Sequence, residues 1–121
     1  MKISYIELLG KKYPLCFSLA ATEKLNDAFG SMEKMTEAVS SNNVGEMAKA
    51  IDIILTVLME AGRKYCKVTG QECPEPLECR PADLIDLTDP NAVNAIYGAM
   101  AVGKEREVEV SSKNAETTQD Q

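Results

Sequence analysis

Between Asn43 and Cys66, apolar or small residues recur at Val44, Met47, Ala48, Ile51, Ile54, Leu55, Leu58, Met59, Gly62, Tyr65 and Cys66. That is a helical period sustained over more than five turns, and any fold for this chain must be built around it. Asn43, with Glu46 three residues later, suits the N-terminal end of such a helix. Ile53, Val57 and Ala61 widen the apolar stripe, leaving mainly Lys49, Asp52, Thr56, Glu60 and Arg63 for solvent. A helix this apolar is expected to be central and covered on two sides, with part of the excess available to a subunit interface. The chain has 121 residues, the length of one domain. Aromatic residues make up 5% and Trp is absent, so the core must be aliphatic and Met-rich.

Two strand candidates precede the helices, "ISYIELL" at 3–9 and "YPLCFS" at 13–18. Gly10-Lys11 suits a two-residue type II′ turn, which takes Gly at its first central position. That turn pairs Leu9 with Lys12, Leu8 with Tyr13, Ile6 with Leu15 and Ser4 with Phe17. Ile6, Leu8, Tyr13, Leu15 and Phe17 then share one apolar face. Ile3, Tyr5, Glu7 and Leu9 lie on the other, mixed face, opposite Lys12, Pro14, Cys16 and Ser18. An isolated hairpin is marginal in water, so this one must lie on helices or join strands from another copy. Pro14 is tolerable if its missing N–H points to the outer edge, leaving the Ile3–Leu9 strand as the side for pairing.

Ser18 is a candidate cap for a helix over 19–29, with Gly30 as its stop. Ser31 begins a second, over 31–39, and the long helix is expected over 44–66. "VTGQECPEPLECRP" at 68–81 reads as a loop from its Gly and prolines. A short helix follows at 81–87, and Asp89-Pro90 starts another over 90–102 carrying Val93, Ile96, Tyr97 and Met100. From Lys104 the chain is polar and acidic, and is expected to be disordered. The expected fold is α+β and mostly α-helical: an N-terminal β-hairpin (3–18) packed on a small helical bundle. It forms one domain over 1–103, with the acidic tail at 104–121.

The composition excludes several functions. With no histidine, Ser-His-Asp and Cys-His catalysis cannot be assembled within the chain. No phosphate-cradling glycine motif occurs. The net charge of -6 argues against a nucleic-acid backbone or an anionic membrane as partner. No stretch reaches the length of a membrane span, and no signal-peptide pattern opens the chain. A cytoplasmic setting with reduced thiols is expected. Cys66, Cys73 and Cys79 are spaced too widely for the tight pairs of structural zinc sites. Plain reduced thiols are the expected reading, with a thiol-based metal or redox module on these three as the alternative. No catalytic residue, cofactor or metal is expected. The surplus is apolar surface: Ile3, Tyr5 and Leu9 on the hairpin, with Ile53 and Val57 on the long helix, are the candidates for self-association or partner binding.

The segment "YIELLGKKYPLCFSLAATEKLNDAFGSMEKMTEAV" resembles the N-terminal region of the tail assembly chaperones of long-tailed, siphovirus-type phages and prophages. The similarity rests on Gly10, Lys11, Tyr13, Pro14, Leu15 and Phe17, then Leu25, Phe29 and the Gly30-Ser31 break. "LMEAGRKYCKVTGQE" at 58–72 and "RPADLIDLTDP" at 80–90 continue it in order. The resemblance implies a non-catalytic protein of the bacterial host cytoplasm, absent from the mature virion. Such a protein binds and solubilises the tape measure protein, helps recruit tail tube subunits and forms homo-oligomers. Neither nucleic acid nor membrane is an implied partner. The alternative is a structural tail-completion or connector protein retained in the virion.

Overall fold

The computed structural model describes residues 3–86 and Asn94. Its elements run in the order β1 (Ile3–Leu8), β2 (Lys11–Cys16), α1 (Leu19–Phe29), α2 (Met32–Val39), α3 (Val44–Thr69) and one 3₁₀ turn (Pro81–Asp83). This is a mostly helical α+β fold with an N-terminal antiparallel hairpin, the architecture expected from the sequence. The helix expected at 90–102 lies outside the described residues except for Asn94, which is helical and exposed, and so does the tail at 104–121.

The hairpin forms with a different turn. β1 and β2 pair Ile6 with Tyr13, Tyr5 with Pro14 and Leu8 with Lys11. The central turn residues are therefore Leu9 and Gly10, not Gly10 and Lys11. Both have positive φ, 53° and 74°, the signature of a type I′ turn whose twist matches that of the strands. The register is displaced by two residues from the expected one. Because side chains alternate with a period of two, that displacement leaves every residue on its expected face. Ile6, Leu8, Tyr13, Leu15 and Phe17 are all buried together, as expected.

The helix caps form where the sequence puts them. Ser18 Oγ accepts from the Ala21 N–H at 3.1 Å, and Ser31 Oγ from the Lys34 N–H at 3.1 Å. Asn43 Oδ1 accepts from the Glu46 N–H at 3.1 Å. Glu46 does not close a direct capping box. Ser41 stands between, donating to the Glu46 carboxylate at 2.8 Å and accepting from the Asn43 N–H at 3.1 Å. Gly30, at φ 89°, ends α1 and donates back to Asn26 O.

Helix α3 runs three residues past its expected end at Cys66. It stops where Gly70 takes the left-handed conformation and the Gln71 N–H reaches back to Cys66 O at 2.8 Å, a Schellman-type close. The apolar stripe ends sooner than the backbone does, because Val68 is 87% exposed. Of the helix expected at 81–87, residue 87 lies outside the described residues, and the described part forms only the single turn Pro81–Asp83. Leu84 caps that turn, its N–H bonding to Pro81 O, and Leu84 and Ile85 both pack against the core.

The core gathers around α3. Ile54, Leu55 and Leu58 are fully buried, meeting Ile6 and Leu15 of the hairpin, Leu25 of α1, and Met35 and Val39 of α2. The outer edge of β2 lies along the same helix. A two-residue turn closes on a hydrogen-bonded pair, so alternation makes Tyr5–Pro14 a non-hydrogen-bonded pair. Pro14 therefore turns its carbonyl and its donor-less nitrogen away from β1. A Cβ on Gly62 would collide with that carbonyl. Glycine at 62 is what lets α3 close over the strand edge, and proline at 14 means no N–H is stranded there.

Candidate functional site

Two residues expected to face solvent on α3 have partners. Asp52 accepts from Arg80 Nε at 2.6 Å and from the Ala82 N–H at 2.8 Å, and its side chain is only 15% exposed. Arg63 donates to Pro74 O at 3.1 Å and lies 3.8 Å from the Glu75 carboxylate. Together they strap residues 71–86 back along the helix. Between the strap, α3 and β2 lies a groove of about 280 Å³, with Tyr13, Pro14, Met59, Leu77 and Pro81 in its lining. The sequence offered a flexible loop here. The signal that would have revealed the groove is the pair Asp52 and Arg63, three turns apart on one side of α3.

A second groove of about 240 Å³ runs between α1 and α3 past Ala21, Val57, Ala61, Tyr65 and Val68. Lys24 and Lys64 each meet Glu60 at 3.4 Å along its rim. These contacts hold the Glu60 carboxyl below its ordinary value of 4.5, Lys64's hydrogen bond contributing most and Lys24's charge next.

The candidate association residues fall on separate surfaces. Tyr5 is 53% exposed and Leu9 75% exposed, while Ile3 is half-buried. All three belong to β1 or its turn, and among the described residues nothing pairs with the outer edge of β1. Ile53 is 37% exposed. It lies nine residues before Gly62, half a turn round the helix, and so opposite the side of α3 that meets Pro14. Val57 is half-buried, packed against the core and lining the second groove. The fold joins Ile3, Tyr5 and Leu9 into one strip and keeps Ile53 away from it.

Leu9 is the unusual member. It is the one non-glycine residue with positive φ among the described residues, and it holds a large apolar side chain in water. An L-residue pays roughly 1–2 kcal/mol for that backbone region, and nothing in the burial of Leu9 offsets it.

The cysteines are graded by depth: Cys66 buried, Cys73 half-buried and Cys79 exposed. No group of three metal-ligating side chains is gathered among the described residues. No described helix is long and apolar enough to cross a membrane.

No family model, no curated protein and no solved structure matches this chain.

Proposed function

We propose that this chain is a tail assembly chaperone of a long-tailed phage or prophage, acting without catalysis in the host cytoplasm. It coats and solubilises the tape measure protein, helps recruit tail tube subunits and leaves before the virion is complete. The reading rests on the resemblance carried by Gly10 to Phe17 and by Leu25 to Ser31. The observation that supports it physically is Leu9. A strained, exposed apolar side chain beside a strand edge that nothing among the described residues pairs with is poor for the folded chain alone and well suited to a surface that another chain covers. The two apolar grooves give a long helical client further places to lay side chains.

Co-expression with the tape measure protein encoded beside it tests the proposal. The client is expected in the soluble fraction and to co-purify with this chain. A client equally insoluble with and without it would sink the reading. Mass spectrometry of purified virions separates the chaperone from a tail-completion subunit: a chaperone is missing from the particle, and stoichiometric recovery would identify a retained structural protein instead.

A further inference from the structure

Cys73 is held against the end of α3 from both sides. Two residues before it, the Gln71 N–H bonds to Cys66 O at 2.8 Å. One residue after it, Pro74 O accepts from Arg63 at 3.1 Å. Arg63 and Cys66 are one turn apart on the helix, so the chain crosses that turn at Cys73. The Cys66 and Cys73 side chains line one small cavity of about 170 Å³, with Arg63, Lys67 and Gln71 around them. Burial pushes the Cys66 thiol up, and the adjacent Cys73 thiol pushes it further.

We propose that Cys66 and Cys73 form a reversible dithiol–disulfide site, oxidised by small anionic disulfides of the glutathione class. The proposal stands apart from the assembly role and does not depend on it. The difference in depth sets the order of events. Cys73, the more accessible, loses its proton to solvent, and its sulfur attacks one sulfur of the small disulfide. That disulfide bond breaks, and one glutathione leaves as a thiolate that takes up a proton. Cys66 then loses its proton and its sulfur attacks the Cys73 sulfur of the mixed disulfide. The second glutathione leaves, also protonated. The two protein thiols have lost two electrons, and the small disulfide has gained them. Arg63 and Lys67 at the cavity supply positive charge where the anionic oxidant must approach. The product needs a sulfur–sulfur distance of about 2.05 Å, which draws the start of the strap onto α3. Cys73 also lines the larger groove, so oxidation fixes one wall of that groove.

The test uses the full chain, native, treated with oxidised glutathione and then alkylated. Trypsin cuts at Lys64 and Lys67 isolate Cys66, and a Glu-specific protease cutting after Glu78 parts Cys73 from Cys79. The expected product joins the Cys66 and Cys73 peptides and has lost two hydrogens. It forms equally in Cys79→Ser, is absent in Cys73→Ser and reverses with dithiothreitol. Three results would overturn the proposal. They are a Cys73–Cys79 link in place of the expected one, glutathione retained on Cys73 without resolution, or no link in the native chain when the urea-unfolded chain forms it.

Discussion

Leu9 and Gly62 show how single residues decide this fold in ways a pattern of apolar positions does not display. A leucine before a glycine is not a turn signature, so the turn reads one residue too late. Both Leu9 and Gly10 nonetheless adopt positive φ, as the type I′ turn that closes this register requires. Asn tolerates that region far better than Leu. Leu9→Asn is therefore expected to raise stability by about 1 kcal/mol, since a side chain 75% exposed has little burial to lose. Urea unfolding should show a higher midpoint at unchanged slope. If the chain acts as proposed, capture of the client should weaken in the same variant, because the exposed apolar side chain is gone. A variant both less stable and fully active would show that Leu9 is structural. Gly62 sits in the sequence as one more small residue of the apolar stripe. Its close approach to Pro14 comes from strand and helix meeting 48 positions apart, and no local signal reports that.

Caps and stops at the scale of elements were legible because they are local. Ser18, Gly30, Ser31 and Asn43 act within three or four residues of themselves. Hairpin faces were legible too, since an error of two in register preserves them. The strap was not, because what orders 71–86 is long-range: Asp52 reaches Arg80 and Ala82, and Arg63 reaches Pro74. The groove was hidden for the same reason. Of the two contacts at Asp52, the one to the backbone matters more. Arg80 is 62% exposed, and exposed ion pairs contribute about 0–1 kcal/mol. The Ala82 N–H is partly buried, and leaving such a donor unpaired costs about 1–3 kcal/mol. Asp52→Ala is thus expected to destabilise by about 1–3 kcal/mol, as both partners are lost. Arg80→Ala should cost less than about 1 kcal/mol. Hydrogen exchange at Ala82 gives the local readout: its amide should lose protection in Asp52→Ala and keep it in Arg80→Ala. Equal losses in the two variants would place the anchor in the ion pair.

For the whole molecule, the two strand edges have different fates, and that limits how copies can assemble. Helix α3 closes the edge of β2 at Gly62, while among the described residues nothing pairs with the edge of β1. A chain with one open edge can pair with itself through that edge once. Antiparallel pairing of β1 with its own copy about a two-fold axis uses both edges and stops at a dimer. Anything larger needs a second surface, and Ile53 lies on the far side of α3 from the hairpin. Each chain carries a net charge of -6, so association works against repulsion and should strengthen as salt screens it. Sedimentation velocity on three proteins resolves the surfaces. If both are used, the unmodified chain sediments above a dimer, Ile53→Asp stops at a dimer, and Tyr5→Asp blocks pairing through β1. Because Tyr5 is 53% exposed, Tyr5→Asp should leave the melting temperature nearly unchanged while it weakens assembly. Parallel loss of assembly and of melting temperature would mean Tyr5 supports the fold itself. Assembly untouched by Tyr5→Asp would mean the open edge of β1 is not where copies meet.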